Sequence, residues 1–273
     1  MCDICVMNSV KNKMLSRRDF FRASAAVTAT AAVGGVMTAP AAMADGHSNV
    51  HDLSHVYDAN FPTYFGTPGI SMEQEFNFAE SGFNLFRVSH NEHVGTHIDA
   101  PLHFSADGQS VDEIPVENLV CPLCVVDIAA KAAEDADAQV TPDDLKAWIA
   151  AHGDIPDRAC VAMHSGWAAK VGGDGYRNVG ADEKMHFPGF HVEAVNMLME
   201  ETGATSIAVD TLSLDHGPSA DFVSHYAWLP TNRFGIENMA GLDKVPAAGA
   251  TLVVGAPNHR GGSGGPARIF AMA

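Results

Sequence analysis

The twelve residues from His93 to Phe104, HVGTHIDAPLHF, constrain this chain more than any other stretch. The odd positions read His93, Gly95, His97, Asp99, Pro101, His103. The even positions read Val94, Thr96, Ile98, Ala100, Leu102, Phe104. Gly95 and Pro101 argue against a helix. In an extended chain alternate residues share a face. The segment therefore reads as a strand, with one mostly apolar face toward a core and one face of titratable groups. Three histidines and an aspartate packed together are costly to bury unless they share a cation. Imidazole and carboxylate suit a divalent metal, Zn2+ or Mn2+, without choosing sharply between them.

A straight strand does not make such a site. His93 and His97 would lie ~13 Å apart at about 3.3 Å per residue, whereas two ligands on one ion sit at bonds of about 2.1 Å. Gly95 is the residue that lets the chain bulge or turn. The expectation is a bend at Gly95, with His97 and Asp99 on a regular stretch after it.

Around this segment the chain alternates short apolar runs with helical patterns. Strands are predicted at 84–90, 123–128, 159–164, 205–210 and 251–255, with a further one in ARIFAM near the C-terminus. A helix is predicted after Thr141, which caps it ahead of Pro142 and two aspartates, and Gly153 stops it. A second is predicted over 191–203. Helices in the middle and strands on the flanks indicate an α/β fold with a mixed β-sheet core and flanking helices. No G-x-G-x-x-G stands at a strand-to-helix turn, so a doubly wound nucleotide fold is not expected.

The N-terminus reads as a separate unit. Ser16-Arg17-Arg18-Asp19-Phe20-Phe21 is followed by an uncharged stretch rich in Ala, Val and Thr, which ends in Ala42-Met43-Ala44. This resembles a twin-arginine signal with an A-x-A cleavage site. The expected division is a signal over 1–44 and one domain over 45–273. The alternative, a retained membrane anchor, is disfavoured because the stretch is only weakly apolar. The twin-arginine export machinery carries folded proteins, which suits a chain that takes up metal before leaving the cytoplasm. The expected location is periplasmic or secreted.

The formal net charge is −17, and residues 1–44 hold five basic and two acidic side chains, so the remainder is more acidic still. No nucleic acid partner is expected, and anionic membrane surfaces are poor partners too. A small-molecule substrate fits. Cys121 and Cys124 form a CxxC that runs into an apolar strand pattern rather than a helix, so buried thiols are expected instead of a redox site. Cys160 is expected to be unpaired and buried.

The motif H-x-G-T-H-x-D-x-P-x-H, complete in residues 93–103, resembles the signature of the cyclase family, which includes bacterial kynurenine formamidases and isatin hydrolases. HDLSH (51–55), SGW (165–167), FPGF (187–190), VDTLSLDHG (209–217), IENM (236–239) and GGSGGPARIFA (261–271) follow in the family's order. The resemblance implies a swivelling β/β/α fold. It implies that His93, His97 and Asp99 hold a first metal ion, and that Asp99 bridges to a second held by His225 and Glu237. One or two ions are thus expected. It also implies that His103 is the catalytic histidine, and that the protein is a homodimer or larger homo-oligomer. One departure stands out: His164 replaces the arginine common before Ser/Thr-Gly-Trp, and a structural role at a strand end is expected for it.

The chemistry that follows is hydrolysis of an amide. A bound metal acidifies water and polarises a carbonyl, and His103 can pass a proton to the leaving nitrogen. Gly261 to Gly265 formally fits G-x-S-x-G, but no helix and no histidine follow Ser263, so a serine hydrolase is rejected and a flexible or substrate-lining loop is expected. The competing reading is an exported metal- or metabolite-binding protein without turnover, against which His103 argues. Phe61, Tyr64, Phe65 and Trp167 are candidate pocket residues, with Phe65 and Trp167 preferred. They suit an aromatic substrate, either an arylformamide such as N-formylkynurenine or a cyclic amide such as isatin.

Overall fold

The computed structural model describes residues 49–273. The signal segment 1–44, with Cys2 and Cys5, lies outside the described residues. Among the described residues, nine strands form one mixed sheet. Its centre is four parallel strands: β5 (Val120–Asp127), β7 (Cys160–His164), β9 (Ser206–Val209) and β10 (Phe234–Glu237). Parallel neighbours need crossover connections, and the helices supply them. Ala129–Glu134 and Pro142–His152 join β5 to β7, Val192–Glu201 joins β7 to β9, and Val223–Trp228 joins β9 to β10.

Antiparallel strands complete both flanks. On one side β11 (Ala250–Gly255) pairs with β5, then β13 (Arg268–Met272), then β1 (Val50–Asp52). On the other, β4 (His97–Asp99) pairs with β10, and β12 (Gly264–Pro266) pairs with β4 at the edge. Two short strands, β6 (Gln139–Val140) and β8 (Gly189–Phe190), pair separately. The last pair, β2 (Ile70–Phe76) and β3 (Leu85–His90), forms an isolated hairpin. Residues 84–90 are thus a strand as expected, but one that joins no main-sheet neighbour.

The centre of the sheet is buried on both faces, as parallel sheets are. Along β7, Val161 and Met163 join the core under the helices, while Cys160 and Ala162 join the core on the opposite face. The helix Pro142–His152 begins where its sequence signals place it: Thr141 and Asp144 close a capping box and Gly153 terminates it. The second helix ends at Glu201, two residues before Gly203, with Thr202 as its cap.

Among the described residues, Cys121, Cys124 and Cys160 are free and buried. Cys121 and Cys124 are three apart in a strand and so face opposite cores, which keeps the CxxC from closing. Burial pushes the Cys121 thiol up to about 11 and Cys124 up to about 12, so neither is a reactive thiolate.

Candidate metal centre

β4 is the strand on which the site is built. It holds only His97, Ile98 and Asp99, all buried. The longer strand read from the alternation is corrected at both ends. Before it, Gly95 turns the chain with φ +66°. A Cβ there would meet the Tyr57 ring at 2.8 Å, so conformation and space both require glycine. After it, Pro101 opens a short 3-10 turn, Pro101–His103. His93 and His103 therefore reach the site from turns on either side of the strand, not from one extended face. Their rings stack with centroids 3.8 Å apart.

Register sets the rest. His97 pairs with Glu237 across the antiparallel β4–β10 ladder, and Asp99 lies between Gly235 on one side and Gly264 on the other. Directly opposed residues bring their side chains together. His97 Nε2 lies 3.3 Å from Glu237 Oε2 and 3.3 Å from Asp99 Oδ1. His225, on the helix Val223–Trp228, brings Nε2 within 3.1 Å of Glu237 Oε1 and 3.6 Å of Asp99 Oδ2. His93 Nδ1 is 2.7 Å from Asp99 Oδ1. The structure thus brings together all six residues of the expected ligand and base set. Donor atoms of His97, Asp99 and Glu237 cluster within 4.8 Å, and those of His93, Asp99 and His103 form a second such group. Asp99 belongs to both. His103 also lies within 4.8 Å of Asp99, so proximity alone does not separate base from ligands.

The cluster fits a divalent cation. His97 Nε2 and Asp99 Oδ2 are buried without a hydrogen-bond partner, an arrangement native proteins avoid unless another group completes it. The outer nitrogens, in contrast, are occupied. His97 Nδ1 donates to Gly95 O at 2.9 Å, and His225 Nδ1 donates to Asp215 Oδ2 at 2.6 Å. Such outer partners fix which nitrogen is left for a metal. The buried carboxylates also call for positive charge. Burial alone would lower the His97 pKa, yet Asp99 and Glu237 raise it to about 10. His225 is likewise held well above its ordinary value against burial by Asp215, Asp99 and Glu237. Burial would raise the Asp99 carboxyl, but the imidazoles of His225, His93 and His97 around it hold it well below the usual range. A cation meets that demand with the imidazoles neutral. His103 differs: burial pushes it down to about 4, leaving a neutral imidazole.

The cluster lies in the wall of a cavity of about 290 Å³, with Tyr64, Phe65, Phe104, Leu212 and Phe222 as its apolar lining. Phe65 lines it as expected. Trp167 does not. It is 1% exposed and packs with Tyr176 and Phe187, its indole N–H donating to Tyr176 O. Phe61 is also behind the wall, packed on His55 and Tyr176. His164, at the end of β7, has Nδ1 3.6 Å from Asp210 Oδ2 and is outside the cavity, in line with the structural role expected for it. The glycine-rich segment is loop only over 261–263, since Gly264–Pro266 is the edge strand β12. Sequence reasoning missed Asp215, which lies in the quoted VDTLSLDHG. Its carboxylate accepts from Ser224 N, His225 N and His225 Nδ1, and so anchors the His225 helix.

Comparison with known proteins agrees with the motif reading. The family model described as "Putative cyclase" matches residues 51–216, more than half of the chain. A model of the twin-arginine translocation signal matches residues 14–34, which supports export across the cytoplasmic membrane. An isatin hydrolase of Roseibium aggregatum is 35% identical over 191 residues, 66% of this chain and 72% of the relative. A kynurenine formamidase of Salinibacter ruber is 28% identical over 195 residues, 70% of this chain and 81% of the relative. Isatin hydrolase A from Labrenzia aggregata, solved with benzyl benzoate bound, superposes with a TM-score of 0.78 at 34% identity, over 82% of this chain and 93% of that one. By its family-model match, its relatives and its fold, this chain belongs to the cyclase family.

Proposed function

We propose that this protein is a metal-dependent amide hydrolase acting on a small aromatic substrate, either a cyclic amide of the isatin type or an arylformamide such as N-formylkynurenine. The observation that carries the reading is the pair of unpartnered buried atoms, His97 Nε2 and Asp99 Oδ2, beside an aromatic-walled cavity. His93, His97, Asp99, His225 and Glu237 hold one or two ions, Zn2+ or Mn2+. When bound, such an ion lowers the pKa of water toward neutrality and polarises a carbonyl oxygen.

The residues of the chain do the rest. The apolar wall from Tyr64 to Phe222 binds a flat ring and excludes water. His103, a neutral imidazole on the cavity wall, takes a proton from the attacking water and gives it to the nitrogen that leaves. The C–N bond breaks, and a carboxylate and an amine result. The isatin hydrolase and kynurenine formamidase relatives support both substrate types.

Protein loaded with Zn2+ or Mn2+ is expected to hydrolyse isatin, N-formylkynurenine or formanilide. His103→Ala is expected to abolish turnover while metal content stays unchanged. Full metal binding without hydrolysis across a panel of amides and lactones would instead identify an exported binding protein.

Two further readings belong with this one. Export by the twin-arginine route delivers the protein to the periplasm or beyond, with cleavage after Ala44. N-terminal sequencing of the exported protein tests this. The protein also works as a homodimer or larger homo-oligomer, joined through the β2–β3 hairpin. In that hairpin Met72, Phe86 and Val88 share one face, at 60%, 47% and 46% exposure, with Glu73 and Arg87 on the other. A lone two-stranded hairpin is only marginally stable in water, so its apolar face favours a partner surface.

A further inference from the structure

We infer that Glu92 and Ser263 form a hydrogen-bonded clamp on the outer nitrogen of His93, and that this clamp reserves His93 Nδ1 for a metal ion. The inference rests on the proposed reading of His93 as a ligand and adds two positioning residues to it.

Proton counting carries it. Ser263 Oγ lies 2.5 Å from Glu92 Oε2, and Ser263 N donates to Glu92 Oε1 at 3.0 Å. A carboxylate only accepts, and a hydroxyl has one proton. Ser263 Oγ therefore donates to Glu92 and can only accept from His93 Nε2, which is 3.0 Å away. A neutral imidazole has one N–H, so the Nε2 proton leaves Nδ1 bare. Bare Nδ1 faces Asp99 Oδ1, another acceptor, at 2.7 Å. Two acceptors held that close need a cation that both can bind. His97 and His225 follow the same logic with the nitrogens exchanged: Gly95 O and Asp215 hold Nδ1, and Nε2 faces the cluster.

The packing around Ser263 is built for this contact. A Cβ on Gly264 would lie 2.2 Å from Ile98 O and 2.8 Å from His93 Cε1. One on Gly262 would lie 2.2 Å from His259 Nε2 and 2.7 Å from Glu92 Oε1. Real Cβ atoms do not approach so closely, so glycine on both sides lets Ser263 enter between Glu92 and His93. The backbone holds it there: Ala100 N donates to Ser263 O at 2.9 Å, and Gly261 N donates to Asp112 Oδ1 at 2.9 Å. His259 Nε2 sits 3.1 Å from Glu92 Oε1 at the solvent edge. The Gly-Gly-Ser-Gly-Gly segment thus positions a ligand and supplies no nucleophile.

The test compares zinc affinity and histidine tautomer in the full-length protein. Metal-free wild type, Ser263→Ala, Ser263→Thr, Glu92→Gln and His93→Ala are titrated with zinc against a chromogenic chelator. Two-bond 15N–1H spectra of the zinc-loaded wild type read the His93 tautomer directly. The clamp predicts the Nε2–H tautomer. It predicts zinc binding weakened about 10- to 100-fold in Ser263→Ala, weakened in Glu92→Gln, and restored in Ser263→Thr. An Nδ1–H tautomer, or Ser263→Ala and Glu92→Gln both binding within twofold of wild type, overturns it. His93→Ala separates the two levels. If it binds zinc as tightly as wild type, the ligand reading falls and the clamp with it. If it loses zinc while the Ser263 and Glu92 variants do not, the clamp alone falls. Should Ser263→Ala fail to fold, Glu92→Gln and the wild-type tautomer still decide.

Discussion

The metal strand and the hairpin that precedes it are neighbours in sequence and opposites in environment. Both alternate polar with apolar residues. In β4 the polar pair His97 and Asp99 is buried along with Ile98 between them. In the hairpin the apolar residues Met72, Phe86 and Val88 stand in solvent. Burying polar atoms without partners is unfavourable, and so is leaving a group of large apolar side chains in water. Each region is therefore incomplete as a single bare chain. One calls for a cation and the other for a surface, and the two needs can be tested separately.

The largest effect is expected at the site. His103→Ala should lower kcat by about 10²- to 10⁴-fold, with metal content by atomic emission and association state both unchanged. A comparable loss of bound metal would move His103 into the ligand set, which its distance to Asp99 allows. Next comes the hairpin. Met72→Lys with Phe86→Lys should weaken self-association by more than about 30-fold, as loss of a central apolar contact does. Sedimentation velocity would show it, while metal binding stays at the wild-type level. A variant that remains associated would remove the hairpin from the interface.

Gly95→Ala tests the bend between the two regions. A side chain at φ +66°, set against the Tyr57 ring, should cost about 2 kcal/mol, read from chemical denaturation of the metal-free protein. Metal affinity should fall too, because the turn places His93. The smallest effect is on the polar face of the hairpin. Arg87 pairs with Glu75 across it, with the arginine 69% exposed. Arg87→Ala should change stability by no more than about 0.5 kcal/mol. A larger change would mean that this face, too, is covered.

Much of this was legible in local patterns. The helix after Thr141 was readable because its cap, Pro142 and Gly153 act within a turn or two of the chain. The bend at Gly95 followed from the geometry of ligands on one strand. The family motif brought in His225 and Glu237, which spacing alone would not have joined to residues more than a hundred positions earlier. Local patterns also misled. The alternation through His103 looked like continuous strand, but Pro101 starts a 3-10 turn. Trp167 looked like a pocket residue because composition cannot tell an aromatic wall from an aromatic core. The end of the glycine run looked like loop because glycine is common in loops, and the role of Gly264–Pro266 as the edge strand beside β4 depends on a partner far away in sequence.

The sequence by itself determined the cluster from His93 to His103, the bend, the family and the export signal, because each is carried by residue types at short fixed spacings. Only the tertiary structure decided how the donors converge and what surrounds them. The β4–β10 register sets His97 against Glu237, and the packing of the His225 helix sets Asp215 behind its ring. β12 closes on β4 from the other end of the chain and sets Ser263 against His93. Ligand identity is local chemistry. The partner of each outer nitrogen is a long-range contact, and it exists only once the sheet has assembled.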